Sequence, residues 1–304
     1  MRIVYYTHSH YLEPATLFSR AMSEFSVVHL LLELSPGSWR SAMFDMESVP
    51  LPAGVLPADA LLSSHFPAQV RAYWSTIASF NLVLHNSKRT LHPAAWWTSH
   101  QAMRFIRELK PDILHLDDPD TSLRLALDIF ELGRIPLVLN VHDPTPHSGE
   151  HNWRKTAARK LIFPHVHHFV LHNKDQAEAF RRVNHVSHDR VSVLHLGSYD
   201  IYKEWESEPV AQEKNTVLFF GRLSPYKGLE VLYDAIQRVA AQVPDVRLVV
   251  AGSRASKYIP PSAPVLRRGG TIELIKNYIS NSQLTKLFQQ ATVVVCPYLD
   301  ATQS

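Results

Sequence analysis

Residues Val217 to Gly228 read VLFFGRLSPYKG, and this stretch decides the fold. Val217, Leu218, Phe219 and Phe220 form a short buried strand, and Gly221 gives a tight exit from it. Arg222 and Lys227 follow five residues apart. The next segment, LEVLYDAIQRVA, spaces Leu229, Leu232, Ala235, Ile236 and Val239 as a helix does. A strand, a turn with two cations and a helix start therefore occur in that order. Open α/β sheets bind phosphorylated ligands at such a strand exit. Two cations can neutralise a diphosphate, and arginine can do so bidentately.

The same stretch resembles the GRL-S-P-x-KG motif of family 4 glycosyltransferases, which have the GT-B fold. The likeness continues through VRLVVAGS (246–253), IELIKNYISNSQLTKLFQQATVVVCPY (272–298) and the final ATQS. IPLVLNVHDP (135–144) and FVLHNKDQ (169–176) support it in the first half. Strand and helix signals alternate throughout, as a parallel doubly wound sheet requires. The expected fold class is thus α/β, with two doubly wound Rossmann-like domains and the second incomplete. The expected division is an N-terminal domain over 1–196, a polar, acidic linker over 197–215 and a partial domain over 216–304. The pattern stops at Ser304 just after a strand, so the chain is expected to be truncated.

Strands are expected at 2–6, 26–32, 81–84, 112–114, 136–141, 167–171 and 191–194, then at 216–220, 247–251, 271–274 and 292–296. Helices are expected at 14–24, 66–79, 94–109, 121–132, 153–162 and 174–183, then at 228–241 and 282–290. The Pro-rich stretch 49–57 reads as a loop.

Composition narrows the function. Of 304 residues, 45% are hydrophobic, enough for two cores. No uninterrupted apolar run reaches membrane-spanning length. The first residues, MRIVYYTHSH, enter a strand at once and lack the features of a signal peptide. A cytoplasmic location is the default. Residues 1–214 hold 21 Lys+Arg against 23 Asp+Glu, and residues 215–304 hold 10 against 5. The basic excess thus lies with the phosphate-type motif. No basic run interleaves with aromatics, so nucleic acid is not expected as a partner. The lone cysteine, Cys296, sits in an apolar strand and reads as core packing. With no G-x-G-x-x-G, the dinucleotide fingerprint is absent.

The resemblance implies a retaining transfer in which the leaving phosphate helps to take the acceptor proton. It implies that Arg222 and Lys227 bind the donor diphosphate, with Gly221, Ser253, Asn277, Tyr278, Thr302, Gln303 and Ser304 as further donor contacts. His142 matches the family histidine that faces the donor sugar and is the candidate catalytic residue. His8, Asp143, His147 and Glu150 are candidates for the acceptor side. The expectation is that His142 and the two cations meet across a cleft between the domains. Two departures from the family pattern stand out. THSHYLEPA replaces the glycine-rich loop after the first strand, and ATQS replaces the usual acidic loop after CPY.

His8, His85, His115, His142, His172 and His195 each sit at or just past an expected strand end, which would gather them on one sheet edge. A structural role for most of them competes with a ligand role, and a metal cluster is disfavoured by their spacing. The segment WRKTAARKLIF (153–163) is basic and amphipathic as a helix. Its cations are expected to face solvent, where they would suit anionic lipid at the inner face of the membrane. A helix with its apolar face on the core is the alternative. The function expected is a metal-independent glycosyltransferase of hexosyltransferase type. It would move a sugar from a nucleotide sugar to a glycan or lipid-linked acceptor, as in polysaccharide or cell-envelope synthesis. A sugar-nucleotide epimerase of similar shape and a non-catalytic binding relative are the competing readings.

Overall fold

The computed structural model describes residues 1–36, 43–44, 52–64, 66–87, 92–118, 134–144, 153–205, 208–254 and 258–299. The expected helix at 121–132 lies outside them. So do the candidates His147, Glu150, Thr302, Gln303 and Ser304. The described chain divides into two compact units that change over between Glu204 and Trp205.

The first unit is built on an eight-stranded sheet. Its strands are β1 (Arg2–His8), β2 (Val27–Leu34), β3 (Gly54–Pro57), β4 (Ser79–Leu84), β5 (Ile113–Asp117), β6 (Leu137–Val141), β7 (His168–Leu171) and β8 (Val191–Val193). The spatial order is β3-β4-β2-β1-β5-β6-β7-β8, and every pairing is parallel except β3 with β4. β1 is buried along almost its whole length, as expected of a central parallel strand covered on both faces. The chain leaves β1 for β2 on one side and later returns to place β5 on the other. The exits of β1 and β5 therefore flank the topological switch point, where such sheets bind ligands.

The helices here are α1 (Leu12–Ser23), the short α2 (Asp59–Leu62) and α3 (Ala68–Tyr73), α4 (Pro93–Leu109), α5 (Trp153–Ile162) and α6 (Lys174–Asn184). Local chemistry fixes their ends. Proline opens α4, whose first turn is capped by His92, and Lys110 closes it in the left-handed conformation. Asn173 caps α6 by accepting from the amides of Asp175 and Gln176.

Two expectations fail in this unit. The stretch 49–57 is not all loop, because Gly54–Pro57 pairs antiparallel with β4. It is an edge strand, where a proline costs no ladder hydrogen bond on its open side. The helix expected at 66–79 shrinks to α3, since Ser79 already begins β4. Trp74 turns edge-on against Phe66 and Phe80, so aromatic packing ends that helix early.

The second unit holds β9 (Thr216–Phe220), α7 (Leu229–Ala240), β10 (Arg247–Ala251), β11 (Thr271–Ile275), α8 (Asn281–Gln290) and β12 (Val293–Val294). Its sheet order is β11-β10-β9-β12, all parallel. Leu229, Leu232, Tyr233 and Ile236 of α7 pack with Phe219, Leu248 and Val250 in its core. The strand expected at 292–296 is reduced to two residues, and Cys296 is exposed rather than in the core. β12 is an edge strand paired only with β9, so its side chains lack the cover that the central strands receive.

Candidate functional site

The carboxyl edge of the first sheet concentrates buried polar groups. At the switch point Thr7 Oγ1 donates to Asp117 Oδ2 at 2.5 Å, joining the exits of β1 and β5. His142, immediately after β6, donates from Nε2 to Asp117 Oδ1 at 2.8 Å. Asn140 Nδ2 donates to the same oxygen at 3.0 Å and to Tyr5 Oη at 2.6 Å. Asp117 has no exposed surface and His142 only 2%. Burial by itself would raise the Asp117 pKa. The hydrogen bond and charge of His142, with those from Thr7 and Asn140, outweigh it and hold the carboxyl below its ordinary value. Asp117 is therefore a carboxylate that fixes the tautomer and orientation of His142.

The ring of His142 lies between two others. Tyr11 stacks on it with centroids 4.0 Å apart and planes 7° from parallel. His172, just after β7, lies 5.0 Å away on a tilted ring. His172 donates from Nδ1 to the Leu194 carbonyl at 2.8 Å.

Next to this group, Arg159 of α5 clasps Asp118, whose side chain has no exposed surface. It also donates to the Asp143 and Pro144 carbonyls. Lys155 reaches Asp118 at 3.1 Å. The segment 153–162 is a helix as expected, but Lys155 and Arg159 do not face solvent as expected. Two cations instead neutralise one buried carboxylate and pin the loop after His142. Lys160 remains exposed, as does Trp153.

On the other side of β1, Glu33 lies 3.9 Å from His8 and 3.7 Å from His85, and accepts from Tyr6 at 2.7 Å. His8 is buried, and its Nε2 has no hydrogen-bond partner among the described residues. So four of the six strand-end histidines (8, 85, 142 and 172) gather as expected. His115 does not, because β5 runs on to Asp117 and leaves it in mid-strand, stacked on Tyr5 and donating to Asn140. His195 is exposed beyond β8.

In the second unit the exits of β9, β10 and β11 end level with one another, since Phe220, Ala251 and Ile275 are in register. That brings Gly221 and Arg222 beside Ser253, and places Asn277 and Tyr278 after the next strand. Gly221 N donates to Ala251 O at 3.0 Å, and Leu223 N to Ser253 O at 2.9 Å. Gly221 and Gly252 both have positive φ, and a Cβ on Gly252 would lie 2.0 Å from the Gly221 carbonyl oxygen. Only glycine allows this close approach. Gly228, at φ 66°, then turns the chain into α7. Arg222 is exposed, as are Ser253, Asn277 and Tyr278. Lys227 Nζ sits 3.6 Å from the ring centroid of Tyr298, a cation–π contact.

Sequence reasoning missed Asp117, Glu33 and Tyr11 as partners of the site histidines. Asp117 left a signal: two acids, Asp117 and Asp118, close the apolar run ILHL. Among the described residues no group is arranged to hold a metal ion, and no helix is long and apolar enough to cross a membrane.

The family model described as Glycosyltransferase Family 4 matches residues 61–198, and that described as Glycosyl transferases group 1 matches residues 200–301. The chain is 24% identical over 212 residues to a GDP-mannose:glycolipid 4-beta-D-mannosyltransferase of Xanthomonas campestris pv. campestris, covering 62% of this chain and 55% of that protein. It is 23% identical over 155 residues to a D-inositol 3-phosphate glycosyltransferase of Mycolicibacterium paratuberculosis, covering 47% and 34%. It thus spans about half the length of the first and a third of the second. Among solved structures it is similar to Anabaena HepE in complex with UDP, with TM-score 0.54 and 15% identity, over 99% of this chain and 75% of that one. It is also similar to the UDP-GlcNAc 2-epimerase of Methanocaldococcus jannaschii, with TM-score 0.58 and 11% identity, over 97% and 78%. Identities this low show the fold alone, a Rossmann-like GT-B architecture. With one family model on each half and curated relatives of the same kind, the chain belongs to the family 4 glycosyltransferases.

Proposed function

We propose that this chain carries out the transfer of a hexose from a nucleotide sugar to a glycan or lipid-linked acceptor, with retention at the anomeric carbon. The observation that carries the reading is the exit of β9, where Gly221 and Gly252 pack backbone to backbone and Arg222 stands exposed beside Ser253. A diphosphate bound there meets Arg222, Lys227 and the start of α7. The negative charge that grows on the leaving diphosphate is then stabilised more in the transition state than in the ground state. These cations take the role a metal would otherwise fill. His142, oriented by Asp117, is the residue we assign to the transferred sugar, and the leaving phosphate assists removal of the acceptor proton. The relative named for a glycolipid acceptor supports a lipid-linked acceptor. Any membrane contact would be peripheral.

The test is turnover of UDP-glucose and GDP-mannose with glycan and glycolipid acceptors, in the presence and absence of EDTA. Glycoside product with the donor's anomeric configuration, undiminished by EDTA, is expected. Epimerised nucleotide sugar in place of glycoside would favour an epimerase. Binding of both nucleotide sugars without turnover would favour a non-catalytic relative.

A further inference from the structure

His172 stands apart from the other histidines at this edge because its two nitrogens have different, fixed roles. Nδ1 lies 2.8 Å from the Leu194 carbonyl, and a carbonyl can only accept. The proton is therefore on Nδ1, and Nε2 carries a lone pair. That lone pair is buried and has no hydrogen-bond partner among the described residues. The residue is only 5% exposed. Burial, helped by the neighbouring His142, lowers the His172 pKa despite the bond to Leu194, so the ring stays neutral at pH 7. A buried acceptor left without a donor costs free energy, and folded proteins rarely keep one. This one is held in place by Phe18 on one side and by His142, with centroids 5.0 Å apart, on the other.

We propose that His172 is a specificity-determining residue whose Nε2 accepts a hydrogen bond from a saccharide hydroxyl bound beside His142. A hydroxyl fits because it brings the donor hydrogen that the lone pair lacks and needs no countercharge. An ammonium group would instead be drawn to Asp117, and the fully ionised diphosphate bridge of a nucleotide sugar offers no donor. A sugar lacking that hydroxyl would leave the acceptor unpaired in the complex, which is how a site discriminates against deoxy analogues. The proposal rests on the glycosyltransferase reading.

The experiment is proton–nitrogen NMR on the full chain labelled uniformly with nitrogen-15, with long-range spectra for the histidine rings, amide spectra for Gly221 and Arg222, and His172→Asn used for assignment. In the free protein the His172 Nε2 resonance is expected at the position of an unprotonated nitrogen with no hydrogen bond. UDP-glucose or GDP-mannose should move it upfield, whereas UDP or GDP should not, if the hydroxyl belongs to the donor sugar. If it belongs to the acceptor, the shift should appear only when methyl mannoside or methyl glucoside joins the nucleoside diphosphate. Binding seen at the Gly221 and Arg222 amides with His172 unmoved in every arm overturns the proposal alone. A free-state resonance already shifted and insensitive to sugar means that water holds the lone pair, and also overturns it. No response at Gly221 and Arg222 to any nucleotide overturns the glycosyltransferase reading, and this proposal with it. As a second readout, His172→Phe should lower kcat/KM about 10- to 100-fold while inhibition by the nucleoside diphosphate stays within about twofold. An unchanged kcat/KM would count against the assignment.

Discussion

His142 donates from Nε2 to Asp117 Oδ1 at 2.8 Å, and this bond ties the exits of two neighbouring parallel strands, β6 and β5. Among the described residues Asp117 also accepts from the side chains of Thr7, Tyr5 and Asn140. The histidine is thus oriented by a carboxylate that is itself held from β1, β5 and β6.

Asp117→Asn should slow transfer about 10- to 100-fold, because the amide can present the wrong group to His142 and release its orientation. It should also cost about 1–3 kcal/mol of stability through mispaired buried donors. The folded carboxyl is depressed below its ordinary value of 3.8, so its contribution is present above that value and is lost as pH falls through the lower folded one. Urea melts of wild type and variant should therefore differ at pH 7 and converge as the pH drops below about 3.8. A stability difference that grows towards low pH would contradict the assignment.

Arg159→Met should be among the most destabilising changes of a charged residue in the first unit, at about 3–5 kcal/mol, since it leaves Asp118 buried with Lys155 alone. Lys160→Met, at the next residue but on the exposed face of the same helix, should stay within about 0.5 kcal/mol. Adding Asp118→Asn to Arg159→Met should recover part of the loss. Chemical denaturation of the four proteins checks this, and equal effects at 159 and 160 would refute it.

The two glycines of the second unit should respond differently. A Cβ at Gly252 would sit 2.0 Å from backbone, while one at Gly221 would meet nothing within 4 Å. Both have positive φ. Gly221→Ala should cost only the backbone strain, about 1–3 kcal/mol. Gly252→Ala must also push β9 and β10 apart at their exits, and should lose more than that or fail to fold. Thermal melts settle the order.

Arg222→Ala should leave stability nearly unchanged, because the side chain is exposed. Turnover should fall about 10²- to 10³-fold, the scale of a lost contact to developing charge. His142→Ala should slow transfer while nucleoside diphosphate affinity remains. Steady-state kinetics paired with calorimetric titration of UDP and GDP separates the two effects, and unchanged turnover in Arg222→Ala would sink the donor assignment.

Cys296 should react with one equivalent of a maleimide in the native protein, since it is exposed in the loop after β12. Labelling only after denaturation would show that it is covered.

Local patterns were legible in the sequence because they are set by neighbours along the chain. The apolar run 216–220, the glycine after it and the helical spacing from Leu229 determined a strand, a turn and a helix at the right positions, and the motif they carry determined the family. The alternation of strands and helices likewise determined a parallel sheet, and with it the gathering of His8, His85, His142 and His172 on one edge. Tertiary structure decided which groups those histidines meet. Asp117 lies 25 residues before His142, and Glu33 52 residues before His85, distances over which sequence carries no pairing rule; only the strand order, which sets β5 beside β6 and β2 beside β4, brings them into reach. It also decided the fate of the basic helix. Charge periodicity shows that cations share a segment, but a buried carboxylate just past β5, Asp118, turned Arg159 and Lys155 inward, because an unpaired charge in the core costs more than the helix gains by leaving them in water.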